Sequence, residues 1–397
     1  MRVLMISDVF FPRVNGVSTS IQTFRHDLAA RGCETWLVAP RYPAGWQDDA
    51  RVLRQPSRYL AFDPEDRMMK SGATLAACMK FAGKVDVLHV QTPFVAHWIG
   101  IKAARELRVP VVETYHTFFE EYLHHYLPLL PAGIARAIAR TFSRRQCNGV
   151  DAVIAPSQQL ADVLRRYGVT RPIETIPTGL NLDEFAGGDG AAFRAHHGIA
   201  LDRPVMLLVG RVAHEKNIGF LLELLAAVVR GVPTALFVIA GEGPALPALK
   251  RAAAEAGLNG HVLFVGYLDR RGPLLDCYRA ADVFVFASRT ETQGLVLLES
   301  LALGVPVVST AVLGTKEVLA NAAGALVVRE DVHEFAAAVT RVLTEPALRA
   351  TLASAAREFV ERQWSSREMA RRLLALYEEL VRTKRVDSTT TRYDTAA

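Results

Sequence analysis

The feature that most constrains the fold is a repeated alternation of short, largely apolar runs with helix-length amphipathic segments. The first run, residues 3–6, is continuously apolar, as expected of a strand buried on both faces of a parallel sheet. A glycine-containing loop at Asn15-Gly16 then leads into a helical stretch, 18–31. Similar runs follow at 35–39, 85–90, 109–114, 152–155 and 173–176. The alternation restarts at 204–209, closed by Gly210, and continues at 235–240, 262–265, 283–287 and 305–310. Two doubly wound α/β domains are the expectation. Their extents are 1–180 and 203–365, with 181–202 as the connection, because Gly187-Gly188-Asp189-Gly190 breaks the pattern there. Residues 358–382 read as largely amphipathic helix, and the Thr- and Asp-rich tail 386–397 as unpacked.

Composition narrows the class. The chain has 397 residues, 50% of them hydrophobic and 22% charged, which excludes a single small module, a fibre or a largely disordered chain. The 46 Lys+Arg against 41 Asp+Glu leave a formal charge of only +5, so the cations matter where they cluster. Such clusters suit phosphate-bearing ligands or anionic lipid surfaces; no zinc-finger spacing, basic arm or aromatic stacking motif points to nucleic acid. Cys33, Cys78, Cys147 and Cys277 form no C-x-x-C pair, which fits buried free thiols in a reducing compartment. No run ends at a signal-cleavage site and none reaches ~18 uninterrupted apolar residues. The expectation is a cytoplasmic protein that meets a membrane, if at all, on its inner face.

Several strings place chemistry after strands. In GRVAHEKN, Arg211 and Lys216 stand just beyond the carboxyl end of the run 204–209, where open α/β sheets bind ligands. An Arg fork and a Lys point charge can clamp a diphosphate and stabilise it as it departs, though solvated loop cations would read the same way. TETQGLVLLES sets Glu291 and Glu299 in an E-x7-E arrangement, with a helix starting near Gly294 and Leu295. Amides at that helix start can hold phosphate oxygens, and the two carboxylates can accept from sugar hydroxyls. Glu291 could equally serve only the helix dipole. His116 follows the run 109–114, as a candidate for catalysis or an ordinary hydrogen-bonded histidine. Gly16 allows close backbone approach, and its loop is not G-x-G-x-x-G, which disfavours nicotinamide binding. Gly241 in GEG, and Gly266 and Tyr267 in FVGYLDR, mark two further loops that border a nucleotide pocket or form ordinary tight turns. The pairs His124-His125 and His196-His197 point apart on any regular element, and no D-x-D triplet occurs, so no metal and no cofactor is expected.

In this order these elements resemble the family 4 retaining glycosyltransferases of the GT-B fold, over nearly the whole chain. The resemblance implies two Rossmann-like domains facing across a cleft and a final helix, 366–385, crossing back to the first. It assigns the sugar nucleotide to the second domain, with Arg211 and Lys216 as diphosphate clamp. Glu299 then resembles the ribose ligand and Glu291 the ligand of donor-sugar hydroxyls. Gly16 and His116 complete the site from the acceptor domain. Family members transfer the sugar with retention and without an obvious protein nucleophile, so the task is leaving-group stabilisation and positioning.

The stretch TYHTFFEEYLHHYLP with ETQGL is similar to bacterial diacylglycerol glucosyltransferases, implying UDP-glucose as donor and a membrane lipid as acceptor. Residues 132–145 add a physical hint. Arg136, Arg140 and Arg144 recur at i, i+4 and i+8 with Arg145 beside them, while Ile134, Ala135, Ile138 and Phe142 mark another face, a pattern suited to an anionic bilayer or simply to a solvated basic helix. The open alternatives are a GDP-mannose-dependent transferase acting on phosphatidylinositol or a lipid-linked glycan, a UDP-sugar epimerase of the same fold, and a non-enzymatic nucleotide-sugar sensor.

Overall fold

The computed structural model describes residues 1–43, 46–60, 63–116, 132–270 and 272–394. The chain divides into two compact units, Met1–Gly179 with Ser366–Ala397, and Leu180–Ser365.

The first unit carries strands β1 (Arg2–Ile6), β2 (Glu34–Pro40), β3 (Val52–Gln55), β6 (Val87–Val90), β7 (Val111–Thr114), β8 (Ala152–Ala155) and β9 (Ile173–Thr175). They form one parallel sheet in the order β3-β2-β1-β6-β7-β8-β9, and β4 (Ser57–Leu60) and β5 (Asp63–Met69) form a separate antiparallel hairpin. Its helices before the crossing are α1 (Gly16–Ala30), α2 (Ser71–Met79), α3 (Val95–Leu107), α4 (Ala132–Cys147) and α5 (Gln158–Arg166). α1 begins where it does because extended Asn15 accepts the Ser18 amide through its side chain at 2.9 Å. Ile21, Phe24 and Leu28 then recur on its buried face.

The second unit carries β10 (Val205–Val209), β11 (Leu236–Ala240), β12 (Val262–Gly266), β13 (Val283–Phe286), β14 (Val307–Ser309) and β15 (Ala325–Val327), all parallel, in the order β12-β11-β10-β13-β14-β15. Its helices are α6 (Gly190–His196), α7 (Ile218–Gly231), α8 (Leu246–Glu255), α9 (Pro273–Arg279), α10 (Leu295–Ala302), α11 (Gly314–Leu319), α12 (Val332–Thr344) and α13 (Pro346–Gln363). Every residue of β10, β11 and β13 is buried, as the unbroken apolar runs require. In each sheet the strand order reverses beside its first strand, at β1/β6 and at β10/β13, so the carboxyl ends of those strands are where ligand loops belong.

The sequence reading did not include β3, the β4–β5 hairpin or β15, and three further stretches differ from it. Residues 181–202 are packed parts of the second unit: Asp189 caps α6 through the Ala192 amide, and Arg194 is buried. The glycines there serve close packing, since a Cβ on Gly190 would lie 2.4 Å from the Arg279 carbonyl oxygen of α9. The helix expected over 358–382 is two helices, broken at Trp364–Ser365, where the Leu180 amide bonds the Trp364 carbonyl at 2.7 Å. The last helix, α14 (Ser366–Asp394), extends past residue 386, because no Gly or Pro follows Arg385 to stop it.

α14 belongs to the first unit, where Met369, Ala370, Leu373, Leu376 and Tyr377 share a core with Val3, Met5, Ile21 and Leu28. Leu373 is fully buried. Leu373→Ala is expected to destabilise that unit by about 2–5 kcal/mol in urea unfolding; a loss under about 0.5 kcal/mol would show that α14 is dispensable to the core.

Candidate active site

The loops after β10, β11 and β12 are held to one another by backbone. Gly210 donates to Ala240, Val212 to Glu242 (2.8 Å), Gly241 to Gly266 (2.7 Å) and Ala245 to Val212. Gly241, at φ +144°, sits so close that a Cβ would lie 1.8 Å from the Gly210 carbonyl oxygen. GEG is therefore a packed floor under Arg211. Lys216 ends a 3₁₀ turn, His214–Lys216, held by Asn217 at φ +55°, whose amide group donates to the Ala287 carbonyl and the Glu330 carboxylate. Asn217 was not singled out from sequence, although Asn is among the few side chains that tolerate the left-handed region.

Across the reversal, the loop after β13 brings Glu291 to this cation. Lys216 Nζ donates to Glu291 Oε1 at 2.5 Å, with both side chains about one-sixth exposed. The Glu291 carbonyl accepts the Gly314 amide, pinning the loop to the start of α11. Gly294, at φ +92°, precedes Leu295, the first residue of α10. Glu299 lies one turn further on and is 1% exposed. Arg270 donates to its Oε1 at 2.6 Å and Tyr278 to its Oε2 at 2.9 Å. Burial, and then Glu299, hold the Tyr278 phenol well above its usual pKa, so it stays a donor. Burial disfavours the Arg270 cation, but Glu299 more than compensates and raises its pKa. Tyr267, beyond β12, is half exposed. The structure thus joins Arg211, Lys216, Gly241, Gly266, Tyr267, Glu291, Gly294, Leu295 and Glu299 along one sheet edge. Sequence reasoning missed Arg270 and Tyr278 as partners of Glu299; Arg270 stood in the quoted FVGYLDR string without a role.

The first unit places Gly16 and His116 at the carboxyl edge of its own sheet. Gly16 opens α1, and a Cβ there would meet no described heavy atom within 4 Å. His116, partly buried after β7, shares a hydrogen bond of 3.2 Å with Gln91 Oε1, beyond β6. Burial lowers its pKa to about 4. Below it, His89 Nδ1 contacts Tyr377 Oη of α14 at 2.6 Å and His89 Nε2 contacts Thr114 Oγ1 at 2.7 Å. Burial, with a contribution from His116, lowers His89 to about 3. Asp8, after β1, is raised by burial to about 6 although it accepts from the Ala96 amide and the Thr92 hydroxyl. The TFFEEYLHHYLP part of the acceptor-like string, His124 and His125 included, lies outside the described residues.

On α4 the buried face is small and partly polar: Ala135, Ala139, Ser143, Gln146 and Cys147. Ser143 contacts Tyr115 Oη at 2.6 Å. Ile134 and Ile138, about half exposed, point outward together with Arg136, Arg140, Arg144 and Arg145. Arg140 lies 5.7 Å from the Tyr167 ring. Among the described residues, no helix is long and apolar enough to cross a membrane.

Comparison with known proteins matches residues 14–184 to the model described as Glycosyltransferase Family 4 and residues 189–359 to Glycosyl transferases group 1. An alpha-monoglucosyldiacylglycerol synthase from Streptococcus pneumoniae is 34% identical over 78% of this chain and 71% of its own length. A GDP-mannose-dependent alpha-(1-6)-phosphatidylinositol monomannoside mannosyltransferase from Mycolicibacterium smegmatis is 29% identical over 94% of this chain and 97% of its own. The solved sucrose-phosphate synthase of Thermosynechococcus elongatus superposes with a TM-score of 0.77 at 23% identity, covering 96% of this chain and 99% of that one. Anabaena HepE, solved with UDP and glucose, gives 0.76 at 16% identity, covering 96% and 100%. The chain belongs to glycosyltransferase family 4 and has the GT-B fold.

Two measurements test this geometry. Gly241→Ala is expected to cost at least ~2 kcal/mol of stability, because a methyl cannot fit against a carbonyl and the residue has positive φ; an unchanged denaturation midpoint would remove the packed floor. The buried histidines set a pH dependence. Their folded values, about 4 and about 3, lie below the ordinary 6.5, so the unfolded chain binds more protons and stability, full above pH 6.5, falls toward pH 4. The slope is about 1.4 kcal/mol per pH unit for each. Asp8 opposes this, since its raised value makes its contribution full below 3.8 and lost as pH rises through about 6. Asp8→Asn is therefore expected to steepen the acid loss between pH 7 and 4.5 by about 2 kcal/mol; an unchanged slope would mean Asp8 is ionised in the fold.

Proposed function

We propose that this chain transfers a hexose with retention from a nucleoside diphosphate sugar, UDP-glucose, to a membrane lipid, diacylglycerol. The observation that carries the reading is the Lys216–Glu291 bond at the β10/β13 reversal, in a chain of family 4. It brings a cation suited to a leaving diphosphate against a carboxylate suited to sugar hydroxyls. Arg211 and Lys216 stabilise the charge that develops on the diphosphate, and the amides opening α10 at Gly294 and Leu295 add dipolar support. Glu291 accepts from donor-hexose hydroxyls and Glu299 from the ribose. Gly16 and His116 serve the acceptor side, where a neutral imidazole hydrogen-bonds without adding charge. Leaving-group stabilisation by fixed side chains needs no metal in this scheme.

The lipid acceptor is supported by the names of the Streptococcus pneumoniae relative and of an Acholeplasma laidlawii relative, 29% identical, that is also an alpha-monoglucosyldiacylglycerol synthase. The mycobacterial mannosyltransferase, matched over almost the full chain, supports GDP-mannose and an inositol lipid as the second reading. On either reading α4 rests on the bilayer from the cytoplasmic side, Ile134 and Ile138 entering the interface and the four arginines meeting anionic headgroups.

With diacylglycerol vesicles and labelled UDP-glucose, UDP-galactose or GDP-mannose, label is expected in the organic phase from UDP-glucose alone; label from GDP-mannose instead would move the function to lipid mannosylation. Lys216→Ala is expected to cut turnover roughly 10²-fold, and near-normal turnover would take Lys216 out of the mechanism. In flotation assays, exchanging Arg136 and Arg144 for Gln is expected to weaken binding to anionic vesicles at least tenfold, at roughly 1 kcal/mol per cation. Equal recovery of the native chain with neutral and anionic vesicles would sink the electrostatic role.

A further inference from the structure

Glu299 presents a conflict. As a ribose ligand it must be reached by two hydroxyls, yet its side chain is 1% exposed and both carboxylate oxygens are already engaged. The two partners differ in kind. Tyr278 is fully buried, its ring stacked on Phe284 at 5.9 Å, and its hydroxyl cannot leave without opening the core. Arg270 comes from the loop after β12 and its side chain is 26% exposed, so it covers Glu299 from the solvent side and can swing. A buried carboxylate stripped of its cation is costly, so whatever displaces Arg270 must also give that cation a new anion.

The diphosphate of the proposed donor is such an anion. Arg270 follows β12 and Arg211 follows β10, with β11 between them, a distance of two strand spacings, about 10 Å at the backbone. Glu299 sits five residues after Gly294, about 7 Å along α10 from the amides at its start. The guanidinium at Glu299 therefore lies on the same sheet edge as the loops assigned to the diphosphate.

We propose that Arg270 is a further ligand of the nucleoside diphosphate, exchanging the Glu299 carboxylate for a phosphate oxygen as the ribose hydroxyls take its place on Glu299. The inference rests on the assignment of Glu299 to ribose. Tyr278 stays on Oε2 throughout and fixes the plane of the carboxylate. The exchange lets the site discriminate. A nucleoside diphosphate offers both the diol that replaces Arg270 and the anion that receives it. A nucleoside offers only the first, and must strand the cation to bind.

The test is equilibrium binding of UDP and uridine, with GDP and guanosine in parallel, to the native chain, Arg270→Met and Arg270→Lys. Arg270→Met is expected to cut the preference for diphosphate over nucleoside about tenfold, the worth of one charged hydrogen bond, with nucleoside binding tighter than in the native chain because no ion pair has to be broken. Arg270→Lys, which keeps the charge, should restore most of the preference for the diphosphate and shows that the loss is not misfolding. Equal weakening of nucleoside and diphosphate by Arg270→Met, or no effect on either, would overturn the exchange. The 2′-deoxy diphosphate separates the underlying assignment: if the native chain binds it as tightly as the ribose form, Glu299 is not the ribose ligand and the exchange falls with it. Weaker binding of the deoxy form, with the Arg270→Met pattern above, supports both.

Discussion

The contact on which the second unit's chemistry depends is the stacking of GEG on the end of β10. Gly241 and the Gly210 carbonyl approach more closely than any side chain would permit, and four backbone hydrogen bonds fix the loops after three strands as one surface. Arg211 leaves that surface directly, and the turn bearing Lys216 follows within a few residues. Preorganisation of this kind matters for a reaction whose difficulty is charge on a leaving group, because donors fixed beforehand need not reorganise as the charge appears. The glycines act through the backbone, and their effect on chemistry is one of position.

In the second unit each proposed anionic ligand group is held by a cation of the same site: Glu291 by Lys216 and Glu299 by Arg270. These pairs are too buried to count as ordinary surface ion pairs, and removing one partner of either is costly unless another takes its place. A sugar nucleotide carries both halves of that exchange, hydroxyls for the carboxylates and phosphates for the cations.

Much of this was legible in the sequence, and the reasons are local. Unbroken apolar runs announced most of the parallel strands and Gly294 the start of α10, because strand burial and helix starts are decided within a few residues, whereas α1 begins at Gly16, two residues before the expected 18, because Asn15 caps it. The strings GRVAHEKN and TETQGLVLLES named the cations and carboxylates. Their pairing was not legible: Lys216 and Glu291 lie 75 residues apart, Arg270 and Glu299 lie 29 apart, and it is the β10/β13 neighbourhood and the loop after β12 that bring them together. The glycine-rich segment before α6 misled for a related reason. Glycine signals either freedom or close approach, and only the position of Arg279 tells which. The break at Trp364–Ser365 was hidden because helical periodicity continues on both sides of it.

The first unit solves a different problem. At its sheet edge burial makes His116 and His89 neutral at physiological pH, while Asp8, raised to about 6, keeps its charge there and is held by the Ala96 amide and the Thr92 hydroxyl. Four further cations, Arg136, Arg140, Arg144 and Arg145, are exposed on α4, as are Ile134 and Ile138, which stay out of the unit's own core. Ala135, Ala139 and Ser143 seat that helix with small side chains, which leaves the two large apolar residues free for another medium. The proposed lipid acceptor fits such a surface, since arginines on an exposed helix face suit anionic headgroups and neutral imidazoles at the sheet edge add no positive charge beside a hydroxyl.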